Sequence, residues 1–461
     1  MSISDLILAP LFLLMIFLFA RYRVNKNIES KPYYKYYIPG LFVKLFGGLG
    51  VCIIYTYYYG GGDTINYFQS DLAMLNLMVK SPATFVSILN GNLSYENYSV
   101  FDLDTGFPSY YYDKHTFIIV RLTTLICLLA FKSYLVTTFL LAWFCYSGIW
   151  RLFRLFCEEF PTLIKQIAVA IFFVPSVVFW GSGVLKDTVT FSAICWFSFG
   201  FYKVFIKREN IAWNIVCSFI AMYFILAIKP YILYSLLPGA FLWLAYSNLG
   251  NINNKIIRYF VAPFLLLGGS VSIFLLLQQL GKEMGKFNVD DILQRAVITQ
   301  QDLIKDYNGG NTFDIGKFDA TIPSMLSKAP IAIISCLFRP FIWEAQNIVM
   351  FISAIENTVI ALFTIIILLK LRVVYFFIFL RKNPILIYIF SFSICFAFSV
   401  GLSTPNFGSL VRYRIPSIPF FLISMILLRF YYNKQKEESI TKSDLDEEHR
   451  LAAKTRFQAE K

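Results

Sequence analysis

The chain has 461 residues, of which 57% are hydrophobic, 18% aromatic and only 15% charged. That much apolar surface exceeds what a soluble fold of this length buries, so a water-soluble protein is excluded and an all-α, polytopic membrane helical bundle is predicted. The net charge of +13 then reports loop topology and contact with anionic lipid rather than nucleic acid, for which the sequence carries no motif.

The eight cysteines form no CxxC pair and sit in or beside apolar runs. They read as small core hydrophobes rather than disulfides or metal ligands. The only two histidines, His115 and His449, lie far apart in the sequence. This argues against a His-ligated metal and against a Ser/His/Asp triad. No cofactor is called for, although carboxylates would suit a divalent cation.

Residues 3–20 are apolar and are followed by Arg21, Arg23, Lys26, Lys31 and Lys35. A signal peptide carries its charges first, so this is a span, with the N-terminus outside and residues 21–37 in the cytoplasm. A second span, 38–59, returns outward and delivers residues 60–68, GGGDTINYF. The glycines permit a sharp turn at the membrane exit. Thr64 to Phe68 look like the first turn of a new helix with Asp63 as its N-cap. An Asp there suits a general base and equally an ordinary cap.

Residues 60–116 form a first extracytoplasmic loop, with an amphipathic helix over 64–79, a second over 82–89, and a Tyr- and Asp-rich run through Asp102, Asp104 and Asp113. Its aromatics suit an interfacial belt or a surface for sugars. Further spans are predicted at 134–150, 163–179, 188–205, 211–228, 231–247, 257–277, 351–369, 385–401 and 416–430. Residues 117–131, with Arg121, and residues 331–342 are too short to cross and read as re-entrant or interfacial helices. The total of about 11 spans is odd, as an outside N-terminus and a cytoplasmic C-terminus require. One membrane domain, 1–432, thus carries two large outer loops, 60–116 and 278–350, and a charged cytoplasmic tail, 433–461.

With this topology the unusual residues share the outer boundary. Residues 175–187, PSVVFWGSGVLKD, end in Lys186 and Asp187. Lys229 opens a tight KPY hairpin, and RPFIWE at 339–344 contributes Arg339 and Glu344. Glu356 lies inside the next span, and STPNFGSLVRYRIP at 403–416 places Arg412 and Arg414 before the last. Cations at an outer boundary run against the positive-inside rule and need a partner. A lipid phosphate or diphosphate fits, because guanidinium forks match phosphate oxygens. Lys186, Arg339, Arg412 and Arg414 are therefore candidates for phosphate binding, and Asp63 for the base. Asp187, Lys229, Glu344 and Glu356 are candidate substrate contacts. Simpler roles stand beside these: snorkelling cations, an ion pair closing a hairpin, or a carboxylate favoured by a helix dipole. Arg412 and Arg414 point the same way only if that segment is extended.

An acidic residue in the first outer loop, amphipathic helices beside it and many spans resemble the GT-C superfamily of membrane glycosyltransferases. The segments FVPSVVFWGSGVLKD, RPFIWEA and NFGSLVRYRIPSIPF also resemble bacterial membrane proteins described as oligosaccharide repeat-unit polymerases. The resemblance implies a protein of the bacterial cytoplasmic (inner) membrane that transfers a sugar or repeat unit from a polyprenyl-(di)phosphate donor to a glycan or lipid-linked acceptor. By it, Asp63 would be the base, while Lys186, Arg412 and Arg414 would hold the donor phosphate. Two features depart from the superfamily pattern: the acidic loop follows the second span rather than the first, and it carries one Asp in place of a pair. A transporter or flippase for lipid-linked glycans and a non-catalytic envelope assembly protein remain open. The former prefers polar residues spread through the spans and internal repeats.

Overall fold

The computed structural model describes residues 3–249, 289–304 and 312–459. Among these the regular structure is helical, apart from an isolated bridge between Thr312 and Asn406. Among the described residues seven helices are long and apolar enough to cross a membrane: Asp5–Asn27, Pro32–Tyr58, Tyr134–Glu159, Lys186–Lys207, Ile211–Ile228, Ile348–Lys370 and Pro384–Ser403. Phe407–Tyr413 and Ser417–Ser439 make an eighth if taken as one span broken by 65°. Pro416 lies in that break, where its missing N–H cannot extend the preceding helix.

The expected count of about 11 is thus not reached among the described residues. Segment 163–179 is two pieces, Ile164–Phe172 and Pro175–Trp180. The reason is Pro175, which drives Val174 to an extended backbone (φ −80°, ψ 115°). Segment 231–247 lies in the helix Tyr231–Leu249, which carries Pro238 inside it and is not one of the seven, and 257–277 lies outside the described residues. Segment 331–342 is short, as expected, with a helix over Ala329–Phe338.

Tyr134–Glu159 and Lys186–Phe201 carry buried side chains all round, as helices at the centre of a bundle must. Their contact is close because Gly148 faces the Ser192 carbonyl, where any Cβ would collide. Ile211–Ile228 and Ile348–Lys370 instead expose apolar faces, including Trp213, Phe219, Ile355 and Val359. Such faces are at home in lipid, where backbone polar groups must be satisfied within the helix.

The helix Lys186–Phe201, continued by a π-helical turn over Tyr202–Lys207, joins two polar ends of the bundle. At its start Lys186 bonds Thr116; at its far end Lys203 pairs with Glu158. The helix Lys114–Leu129 begins beside Lys186 through that Thr116 contact. It ends next to Tyr134, whose hydroxyl lies 2.7 Å from that of Thr64. Both of its ends therefore belong to the end that carries Asp63, and it runs along that end rather than across the bundle.

Candidate functional site

The second span finishes in a π-helical turn, Ile54–Tyr58, and then turns sharply through glycine. Gly62 has φ +111°, and a Cβ there would meet the Tyr55 ring at 2.9 Å. Only glycine takes both the conformation and the space. Gly62 is the N-cap of the helix Asp63–Lys80, so Asp63 is its first residue and makes no side-chain cap bond. The N-cap expectation is corrected accordingly. The carboxylate is drawn elsewhere: Oδ1 accepts from the Tyr110 hydroxyl at 2.9 Å and Oδ2 from Arg412 at 2.6 Å.

Arg412 bridges two acids. Its Nε donates to Asp187 Oδ2 at 2.7 Å while its Nη1 holds Asp63. Asp187 stands in the first turn of Lys186–Phe201, where the helix dipole favours a carboxylate. Its other oxygen accepts from Lys229, in the short connection between Ile211–Ile228 and Tyr231–Leu249. The Lys229 ammonium also lies 4.4 Å from the Tyr413 ring centroid, a cation–π contact. Four distant segments are tied by one chain of alternating sign: Lys229, Asp187, Arg412, Asp63.

Lys186 stands beside this chain. Its Nζ donates to Thr116 Oγ1 at 3.0 Å, and Thr116 donates to Asp113 at 2.7 Å. Among the described residues no carboxylate lies within ion-pair distance of Lys186 itself. The two acids differ sharply in access. The Asp187 side chain is 1% exposed and that of Asp63 36%. Asp187 can therefore only position the cations, whereas Asp63 can meet a substrate. Burial pushes the Asp63 carboxyl up, but the charge and hydrogen bond of Arg412, the Tyr110 bond and the charge of Lys186 outweigh it. The group is held below the ordinary carboxylate range and is ionised at neutral pH.

The remaining candidates stand apart from this cluster. Phe407–Tyr413 is a helix, not extended chain, and Arg414 follows it directly. Two residues apart on a helix diverge by about 200°, so Arg412 and Arg414 face different partners. Arg414 is wholly buried and donates to the carbonyls of Cys336 and Arg339 at 2.9 and 2.8 Å, and to Asn357. It pins the short helix Ala329–Phe338 to Ile348–Lys370. Arg339 and Glu344 pair with each other, and Glu344 also accepts from the Phe341 backbone. Glu356 accepts from the backbone N–H of Ser176 at 2.6 Å and from its hydroxyl at 2.5 Å. It also borders an apolar groove of about 890 Å³ whose walls include Val169, Phe173, Ile352, Val359 and Leu422.

Sequence reasoning missed Tyr110, Thr116 and Tyr413 as members of the cluster, and set Asp113 aside as a loop residue. Tyr110 sits in a run of Tyr at 110–112 whose members the sequence alone cannot rank. Asp113 carried a signal that went unused: it precedes the helix Lys114–Leu129 and caps it, accepting from the His115 and Thr116 backbone. Among the described residues no three His, Cys, Asp or Glu side chains are arranged to hold a metal ion.

No family model, curated protein or solved structure matches this chain. The glycosyltransferase resemblance rests on the quoted motifs.

Proposed function

We propose that the protein transfers a glycosyl group at the extracytoplasmic face of the membrane. The donor is a polyprenyl-(di)phosphate-linked sugar or repeat unit, and the product enters cell-surface polysaccharide. The observation that carries this reading is the convergence of Asp63, Lys186, Asp187, Lys229 and Arg412 at one end of the bundle, with Asp63 alone of the two acids open to substrate. That end is outside if the Arg- and Lys-rich opposite end is cytoplasmic.

Lys186, with no carboxylate of its own among the described residues, is the first contact for the donor phosphate. Arg412 is the second, and it must exchange Asp63 for phosphate oxygens, keeping Asp187 as its anchor. That exchange frees the Asp63 carboxylate. Its basicity then rises, because burial pushes it up and the cation that opposed burial has a new partner. Asp63 takes the proton of an acceptor hydroxyl as that oxygen bonds to the anomeric carbon. The bond from that carbon to the phosphate oxygen breaks, and the phosphate leaves with its charge on Lys186 and Arg412. The apolar groove beside Glu356 suits the lipid portion of such a donor. Single-sugar transfer and repeat-unit polymerisation share this chemistry; a ladder of products marks the polymerase.

A second reading has its own observation. The chain from Lys229 to Asp63 is fully paired and ties together four segments, as a structural latch in a non-catalytic envelope assembly protein would. The two readings separate on Asp63→Asn and Lys186→Gln made in the native host, with protein level, lipid-linked glycan and surface polysaccharide measured. Accumulated lipid-linked donor with normal protein level supports transfer. Normal polysaccharide in both variants rejects it.

A further inference from the structure

The end of the bundle opposite Asp63 holds a second charged site that the transfer reading does not use. It lies about 25 Å from Lys186 along the Lys186–Lys207 helix, at the helical rise of ~1.5 Å per residue. A cavity of about 670 Å³ opens there between Tyr134–Glu159, the π-helical turn Tyr202–Lys207 and the start of Ile211–Ile228. Four cations line it, Lys31, Arg151, Arg154 and Lys203, against two acids, Glu158 and Glu209.

The pairing leaves cations over. Glu158 accepts from Arg154 at 3.2 Å and pairs with Lys203 at 2.9 Å, and Glu209 pairs with the same Lys203 at 2.6 Å. Both acids are thereby taken up, and Arg151 and Lys31 have no carboxylate within ion-pair distance among the described residues. Arg151 is nonetheless fixed in place. Its guanidinium packs 4.0 Å from the Trp196 ring centroid and 5.0 Å from that of Phe199. Arg154 and Lys203 approach the same Phe199 ring, at 5.2 and 5.7 Å. Three cations around one buried ring repel one another, and the two acids present do not balance all the cations at this cavity.

The backbone is shaped to build this arrangement. The π-helical turn carries Lys203 inward until it is buried, and such turns recur at functional sites. Arg208 and Asn210 then both take positive φ, 57° and 46°. Neither is a glycine, so the turn is costly, and it is the turn that brings Glu209 back onto Lys203.

We propose that this cavity binds a phosphate-bearing anion, with Arg151 as its principal ligand. An aromatic-backed guanidinium with its donors unclaimed by any acid among the described residues suits bidentate contact to phosphate oxygens. A headgroup of an anionic lipid and a free diphosphate present the same chemistry. This site stands on its own residues and does not depend on the role of Asp63.

The test uses the full chain in nanodiscs. In one arm the discs contain phosphatidylcholine with phosphatidylglycerol, and native mass spectrometry reads which lipid stays bound. In the other arm the discs contain phosphatidylcholine alone, and pyrophosphate binding is measured by calorimetry. We expect retention of phosphatidylglycerol or saturable pyrophosphate binding, whichever source is used, and weakening as salt is raised. Arg151→Gln should weaken it roughly ten- to a hundredfold, the loss of a charge-assisted contact. Lys26→Gln, an exposed cation outside the cavity, should leave it unchanged. Should Arg151→Gln fail to fold, as judged by size exclusion and thermal unfolding, Lys31→Gln carries the same comparison with a loss of several-fold. Wild-type protein that retains neither anion, or cavity variants that bind as wild type does, would overturn the proposal.

Discussion

Asp187→Asn separates the anchoring acid of the cluster from the acid proposed to react. Asp187 is sealed from solvent and uses both oxygens, one on Lys229 and one on Arg412. At a charge separation of ~4 Å and an effective dielectric of ~20, each attraction is worth about 4 kcal/mol gross. Bringing the carboxylate out of water costs several kcal/mol of that sum, so the net loss on removing one partner of a buried pair is roughly 3–5 kcal/mol. Lys229, itself buried, would be left with no counter-charge. Asp63 is different: over a third of its side chain is exposed, solvent screens the pair, and Asp63→Asn should cost at most about 1 kcal/mol. Apparent unfolding temperatures in detergent should therefore fall by roughly 3–5 °C for Asp187→Asn and by about 1 °C or less for Asp63→Asn. Adding Lys229→Met to Asp187→Asn should restore part of the loss, because the stranded ammonium is gone. Glycan output should fall in both single variants, but with folded protein preserved only in Asp63→Asn. Equal destabilisation by the two substitutions would refute the division of roles, and so would an Asp187→Asn protein as stable as wild type.

Other residues give independent checks. Because the folded-state value of Asp63 lies below the ordinary carboxylate range, its contribution to stability is present above the unfolded value of about 3.9 and is lost as pH falls through the lower folded value. Stability in wild type should then show no Asp63-dependent step between about pH 5 and 8. In Arg412→Gln burial acts with less opposition, the carboxyl moves up, and nuclear magnetic resonance titration of Asp63 should show it. Asp71 behaves oppositely: burial pushes its carboxyl well up, only partly offset by the Thr123 and Thr124 hydroxyls, and Oδ2 has no hydrogen-bond partner among the described residues. A raised folded-state value means stability that is fully present below the unfolded value and lost as pH rises towards the folded one. Asp71→Asn should therefore unfold at a higher temperature than wild type at pH 8, with the difference gone near pH 4; a constant difference would contradict this. Arg414→Met strands the buried acceptors on Cys336, Arg339 and Asn357 at about 1–3 kcal/mol each. Its expected result is loss of folded protein on size exclusion, not a selective loss of activity.

What sequence could and could not foretell follows from the range of the forces involved. Membrane helices are dictated by local composition, since a run of apolar residues must satisfy its own backbone in lipid. Seven such helices accordingly fall where hydropathy placed them. Segment 163–179 departs from one span because Pro175 interrupts the run, while 231–247 is helical with Pro238 inside it. Within the cluster, Lys186, Asp187, Lys229 and Arg412 were visible because each is a charge at a boundary where charge is unfavourable, so each needed a reason to be there. What the sequence withheld was who pairs with whom. Arg339, Arg412 and Arg414 look alike in a string of letters, yet one closes on a neighbouring Glu five residues on, one bridges two acids from distant segments, and one holds backbone carbonyls. That choice is made by helix phase: Arg412 and Arg414 are separated by about 200° once the segment coils, and the one inside the helix, Arg412, reaches the acids. The same reasoning bears on Asp63. Its place after the glycines left cap and base open; a cap would spend the carboxylate on its own helix, whereas this carboxylate crosses to Tyr110 and Arg412. An acid held by removable partners at an accessible edge is the form a base takes before its substrate arrives, and a helix cap offers no such release.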